Sequence, residues 1–166
     1  MKLMLAMTAA MMLIVASANV LVQYPVNDWL TWGALTYPVS YFVTDLTNRR
    51  YGPGAARRVV LIGFALAVMV SIWLASPRIA LASGTAFLVS QLMDVAIFNR
   101  LRRRAWWQPP LVSSVLGSFV DTALFFALAF WGTAMPWMTL AIGDYGVKVG
   151  IALMLLLPWR VVARRG

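Results

Sequence analysis

The 166-residue chain contains no cysteine, no histidine and no glutamate, and its whole acidic inventory is Asp28, Asp45, Asp94, Asp121 and Asp144. Without cysteine there is no disulfide framework, thiolate metal site or cysteine nucleophile. Without histidine there is no ordinary zinc site, no Ser-His-Asp triad and no imidazole switch near neutral pH. Most metal-assisted and triad-type hydrolase chemistry is excluded on these grounds. Charge of either sign is scarce too, at 11% of residues, where a soluble domain carries roughly a quarter. Apolar residues reach 62% and the mean hydropathy is +0.80. Such a chain can neither cover a soluble globule with polar side chains nor stay disordered in water.

The charge that is present is mostly positive, a net +9. In a soluble protein that would suggest nucleic acid; the placement of the charges argues against such a partner. They form short clusters between long uncharged runs, the pattern by which membrane proteins mark their cytoplasmic ends. Six runs approach the roughly 20 apolar residues that a helix needs to cross a bilayer: 3–26, 29–47, 59–77, 79–98, 111–131 and 139–159. The expectation is an all-α, polytopic membrane protein, one six-helix domain over 1–166. Lys2, the 49–58 cluster (Arg49, Arg50, Arg57, Arg58), the 100–104 cluster (Arg100, Arg102, Arg103, Arg104) and the tail (Arg160, Arg164, Arg165) then fall on one side, leaving only Arg78 opposite. That puts both termini in the cytoplasm of a bacterial inner-membrane protein. Trp29, Trp32, Trp106, Trp107, Trp131, Trp137 and Trp159 sit at predicted helix ends, as an interfacial belt would. The first run, with Lys2 ahead of it and Ala16-Ser17-Ala18 within it, imitates a cleavable signal; it is expected to stay as a helix, because its loss would leave five spans and upset the charge pattern.

Ionisable groups inside a bilayer cost several kcal/mol, roughly 2.5–3.5 on insertion scales, and those that persist face a cavity or pair with one another. The candidates are therefore the polar residues within the spans: Asn19, Thr44, Asp45, Asn48, Ser90, Gln91, Asp94, Ser114, Ser118, Asp121, Thr122, Asp144 and Lys148. Gln91 and Asp94 share a helix face flanked by Phe87 and Phe98, and Ser114, Ser118, Asp121 and Phe125 line one face of the fifth run. Segments 88–101 and 115–128 match weakly at an offset of 27, pairing Asp94 with Asp121 and Phe98 with Phe125. Alternatives stand beside each ligand role. Asp121 and Lys148 can neutralise each other, Asp144 and Lys148 can pair at i, i+4, Asp45 can pair with Arg49, and Asn19 can hold two helices together. Pro38 predicts a kink in the second run, and Gly52-Pro53-Gly54 a turn. Carboxylates, amides and hydroxyls ringed by Phe and Tyr suit a flat, hydrogen-bonding ligand, with a carboxylate accepting two adjacent N–H donors from a guanine-like edge.

Four stretches, YPVSYFVTDLTNRRYG at 37–52, FLVSQLMDVAIFNRLRRR at 87–104, LVSSVLGSFVDTALFFALAF at 111–130 and DYGVKVGIALMLLLPW at 144–159, resemble the vitamin-uptake, queuosine-precursor transporter family. The resemblance covers nearly the whole chain. It implies a six-helix inner-membrane importer, similar in fold to the substrate-binding components of energy-coupling-factor transporters, whose cargo is 7-cyano-7-deazaguanine or its 7-aminomethyl relative. Carried over by position, it implies a site drawn from Asn19, Asp45, Asn48, Gln91, Asp94, Asp121 and Lys148, to which Ser118, Phe87 and Tyr41 are added as neighbours on the same faces. Asp121 or Asp94 would read the N–H edge, Gln91 the carbonyl side, and Lys148 would balance charge. The chain departs from the family pattern at Gly117-Ser118, where Ser-Gln is usual, and at Asp144, where Asn is usual.

No cofactor is expected. The expected partners are the deazapurine and the bilayer, with a second copy of the chain, or an ATP-driven component of the energy-coupling-factor type, as further candidates. A stand-alone secondary transporter would use a carboxylate within the spans to carry a proton with the solute. A binding component would dock through a small-residue face such as Ala6-x-x-x-Ala10 and borrow its ATPase, since the chain has no phosphate-binding loop. An intramembrane aspartyl protease would need a Gly-x-Gly-Asp signature, but Ala141 stands where the first Gly belongs.

Overall fold

The computed structural model describes residues 2–74 and 76–164; Arg165, counted above in the tail cluster, lies outside them. In chain order the elements are α1 (Lys2–Leu21), β1 (Pro25–Asn27), β2 (Leu30–Thr31), α2 (Gly33–Thr36), α3 (Pro38–Tyr51), α4 (Pro53–Leu74), α5 (Pro77–Leu101), α6 (Gln108–Phe130) and α7 (Trp137–Arg164). Proline opens α3, α4 and α5, and Pro109 and Pro110 open α6. Its locked φ and missing N–H suit a first helical turn. Gly52 ends α3 at φ 85°, a conformation open to residues without a Cβ. Ser76 caps α5 by accepting from the Ile79 N–H at 3.3 Å.

Among the described residues, Met4–Leu21, Pro77–Leu101, Gln108–Phe130 and Trp137–Val161 are long and apolar enough to cross a membrane. The polarity of the packing agrees. Leu5, Leu13, Leu81, Phe119, Met154 and Leu157 are exposed, while Asn48, Gln91, Asp94, Asp121 and Lys148 are buried. Apolar side chains outside and ionisable ones inside are the reverse of a water-soluble protein and what a lipid solvent selects. This is an all-α membrane protein with a short β-ribbon attached.

The second run departs from the single helix expected over 29–47. Its start belongs to the antiparallel ribbon β1–β2, turned by the Asn27 side chain, which accepts from the Trp29 N–H at 2.8 Å. One helical turn, α2, follows, and α3 begins only at Pro38. Pro38 has no N–H to offer the carbonyl of Ala34, so the helix is interrupted there although Tyr37 keeps helical dihedrals. α3 has 14 residues, about 21 Å at 1.5 Å per residue, shorter than the roughly 30 Å hydrocarbon core.

Two apolar clusters hold the helices. Met7, Met11 and Val15 of α1 pack with Tyr41, Val59, Val60 and Phe87; Ala82 and Ala86 of α5 pack with Phe125, Phe126 and Ala129 of α6 and Leu140 of α7. α5 and α6 run antiparallel: Ser90 meets Asp121 near mid-helix, while Arg78 at the start of α5 donates to the Leu128 and Trp131 carbonyls at the end of α6. One end of the bundle gathers the C-terminal ends of α3, α5 and α7, tied by bonds from Arg102 to the Arg49 carbonyl and from Trp159 to the Trp106 carbonyl. The ribbon closes the opposite end, where Thr139 donates to the Asp28 carbonyl. Trp29, Trp32, Trp106, Trp107 and Trp131 are exposed, but Trp159 is buried against Phe98 beneath the 102–107 loop and does not belong to an outer belt.

Candidate functional site

The polar residues of the spans collect in two centres stacked along the bundle. The first is built on Lys148. Asp144 and Lys148 lie one turn apart on α7 and Asp121 and Thr122 are adjacent on α6, so packing α6 against α7 brings all four together. The Lys148 Nζ lies 2.8 Å from Asp121 Oδ2 and 2.6 Å from Asp144 Oδ2, and donates to Thr122 Oγ1 at 3.1 Å. Thr122 donates to Asp144 at 2.7 Å. From the other side the Tyr37 hydroxyl donates to Asp121 Oδ1 at 2.7 Å, and its ring lies 4.8 Å from the ammonium. Each of the three ionisable residues is 3% exposed, so neutralisation by neighbours, not by water, makes their burial tolerable. One ammonium faces two carboxylates, which leaves an acidic group in excess.

A cavity of about 30 Å³ opens beside this centre, lined by Asn19, Ser83, Tyr37, Asp121, Asp144 and Lys148, with Ala18, Val22, Gly33 and Phe125 as apolar wall. Asn19 and Ser83 are joined by a hydrogen bond from the serine hydroxyl to the amide oxygen, linking α1 to α5. At about 10–15 Å³ per water the space holds two or three waters. The polar groups are therefore nearly closed upon one another.

The second centre lies toward the arginine-rich end. Asp45 of α3 accepts from Ser113 at 3.3 Å and Ser114 at 3.5 Å, both on α6. Asp94 of α5 faces Asp45 and the Ser113 hydroxyl, yet no hydrogen bond of ordinary geometry holds either of its oxygens. Asn48 grips the Val95 carbonyl at 3.1 Å and leaves its own oxygen unpartnered. No ion pair among the described residues reaches Asp45 or Asp94. A cavity of about 20 Å³ touches this centre through Asp45, Ser114 and Ser118, with Tyr41, Trp159 and Lys148 also on its wall. Lys148 thus stands between the two cavities. Gln91 is locked between α3 and α5, donating to Ser40 at 2.8 Å and accepting from Thr44 at 2.6 Å.

Of the ten residues singled out from the sequence, Asn19, Asp121 and Lys148 line the first cavity and Tyr41, Asp45, Ser118 and Lys148 the second. Asn48, Gln91, Asp94 and Phe87 line neither; Phe87 stacks on Phe64 with ring centroids 6.1 Å apart, as core. Asp45 does not pair with Arg49, whereas both pairings open to Lys148 are made. Sequence reasoning left Tyr37 and Ser83 out of the site and held Asp144 as a candidate and an alternative partner of Lys148, without placing it among the ten. Ser83 lies on the α5 face that runs on through Phe87, Ser90 and Asp94, so extending that face by one turn finds it.

Residues 31–76 and 71–163 match the family described as putative vitamin uptake transporter. The chain is 36% identical to the queuosine precursor transporter of Escherichia coli (strain K12), across 89% of this chain and 80% of that protein. It is 34% identical to a probable queuosine precursor transporter of Haemophilus influenzae (87% and 79% covered) and 28% identical to one of Bacillus subtilis (81% and 72% covered). No solved structure matches it. A bundle with apolar residues outward, a compensated Lys–Asp centre inside and these relatives has one reading: the chain belongs to the vitamin uptake transporter family and is a membrane transporter, not an enzyme.

Proposed function

We propose that this transporter imports queuosine precursors, the 7-deazaguanine bases 7-cyano-7-deazaguanine or 7-aminomethyl-7-deazaguanine, and that the base docks on the Lys148 centre. The names of the relatives support the substrate class. The observation that carries the docking is the cavity bounded by Asp121, Asp144, Lys148, Tyr37 and Asn19. A carboxylate there accepts the adjacent N–H donors of a guanine-like edge, Lys148 and the Asn19 amide serve its carbonyl side, and Tyr37 offers an aromatic face. Because the cavity holds only a few waters, loading requires Tyr37 or the ribbon end to move apart, as alternating access around a central site demands. Excess acidity at Asp121 and Asp144 favours the aminomethyl base, whose ammonium would complete the charge balance.

The reading extends to six crossings with both termini cytoplasmic in the inner membrane, α2 and α3 together making the second crossing, and to transport by the chain without an ATPase. The arginine clusters support the orientation. Since no native cysteine competes, single-cysteine variants at Ser76 and Arg103 should label from opposite sides of the membrane.

The decisive experiment supplies each base to cells that cannot make it and measures queuosine in their tRNA. Asp121→Asn should lower uptake roughly tenfold or more, matching the about 1.5–3 kcal/mol of a charge-assisted hydrogen bond. Purified protein that binds neither base would overturn the assignment. Proteoliposomes holding the chain alone that bind a base but fail to take it up would overturn stand-alone transport.

A further inference from the structure

Beyond the second polar centre, whose cavity shares Trp159 as wall, the arginine-rich end of the bundle encloses a cavity of about 290 Å³. Arg49 at the end of α3, Arg102, Arg103 and Arg104 in the loop after α5, and Arg160 near the end of α7 form its wall. None of the five aspartates lines it, and neither ion pair among the described residues involves an arginine. Five guanidinium groups around one hollow repel one another unless an anion joins them.

The wall is also organised. Arg102 Nη2 donates to the Arg49 carbonyl at 2.6 Å, and the Arg160 guanidinium rests 5.3 Å from the centre of the Trp106 ring. Trp159 fixes that loop through its 3.0 Å bond to the Trp106 carbonyl. The buried rings of Phe98 and Trp159 form an apolar floor. Fork-shaped donors around an apolar floor match a phosphate esterified to something greasy: guanidinium pairs phosphate in a bidentate manner, and basic hollows between membrane helices hold anionic headgroups.

We propose that this cavity binds a phosphate group, with the headgroup of an anionic membrane phospholipid as the source that the apolar floor favours and free phosphate as the other. The site is independent of what the Lys148 centre carries. Arg50, Arg57 and Arg58 belong to the same basic end, are exposed and do not line the cavity, so they report what cationic charge does without the enclosure.

The test uses the full chain in detergent, with lipid retention read by native mass spectrometry and unfolding temperature read in parallel. Phosphatidylglycerol, diphosphatidylglycerol and phosphatidylcholine are titrated separately, and inorganic phosphate is added as competitor. The anionic lipids should be retained in preference to phosphatidylcholine and should raise the unfolding temperature. The triple variant Arg103→Gln/Arg104→Gln/Arg160→Gln should weaken that retention roughly tenfold or more, while Arg50→Gln/Arg57→Gln/Arg58→Gln should change it far less. All six substituted side chains are exposed, so the changes leave the buried packing untouched, and an unchanged elution profile checks it. Inorganic phosphate that stabilises the parent through the same arginines, with no lipid preference, identifies free phosphate as the ligand. Equal loss in both triples, or no response to either phosphate source, overturns the proposal.

Discussion

The Lys148 centre and the Asp45–Asp94 centre are made of nearly the same materials. Each has two buried aspartates, hydroxyl donors from α6 and a tyrosine close by. They differ in one neighbour. In the first, an ammonium lies within 2.8 Å of both carboxylates, and every acidic side chain is held. In the second, Asp45 of α3 accepts from two serine hydroxyls, the Asp94 carboxyl of α5 that faces it accepts from none, and no ion pair among the described residues reaches either. A buried ion cluster is held together by its countercharge, and removing that charge leaves the rest without compensation. The difference makes Lys148 structural and chemical at once, a lock joining α6 to α7 and the wall between the two cavities.

The largest effect should therefore come from removing the lock. Lys148→Met leaves Asp121 and Asp144 buried without a cation, and the expected loss is about 3–5 kcal/mol, seen as a steep fall in unfolding temperature in detergent and no uptake. Adding Asp121→Asn and Asp144→Asn to the same chain should restore much of the stability but not the uptake. If the single variant unfolds like the parent, the two centres are not distinguished by compensation.

How much of this could be read from the sequence follows from which forces act locally. Helical spacing put Gln91, Asp94, Phe87 and Phe98 on one face, and all four are buried there, because periodicity and burial obey the same geometry. Lys148 and Asp144 were legible for the same reason, being one turn apart. The ribbon was not: Val26, Trp29 and Leu30 fall at the edges of apolar runs, which read as helix. Nor could spacing tell which centre each aspartate joins. Asp94 and Asp121 match in the weak repeat, yet antiparallel packing of α5 on α6 sends them to different centres. Tyr37 was overlooked because an aromatic beside a proline reads as apolar wall, and its hydroxyl acquires a role only once the junction between α2 and α3 is folded against α6. Trp159 misled in the opposite sense: a tryptophan at a helix end suggests the interface, but a loop closes over it.

A second substitution probes the boundary between the centres. Gly117 of α6 packs beneath the Tyr41 ring, and a Cβ there would stand 2.8 Å from Tyr41 Cε1. Tyr41 packs edge-on to Tyr37 at 6.1 Å between centroids and forms part of the second cavity's wall. Gly117→Ala should push the ring along this tyrosine pair at an overpacking cost of about 1–3 kcal/mol. Uptake should fall more than stability does, because the disturbance reaches Tyr37 and its bond to Asp121. A stable variant with parental uptake would show that the two centres work without contact through the tyrosines.

The smallest effect should come from the uncompensated pair, and its smallness is informative. Asp94→Asn removes one of two like groups facing each other and puts an amide donor beside Asp45, whose donors are now the long bonds from Ser113 and Ser114. The lost repulsion and the new hydrogen bond both favour the folded state. The unfolding temperature should accordingly stay at or above that of the parent, the shift being less than the about 1 kcal/mol loss usual for a point substitution. Base affinity should be unchanged, since Asp94 lines neither cavity. The same change at Asp121 breaks a bond to Lys148 and another to Tyr37 and should cost both stability and affinity. Equal losses at the two positions would mean that the lower pair is held as tightly as the upper one, by a partner that the protein supplies only when it moves.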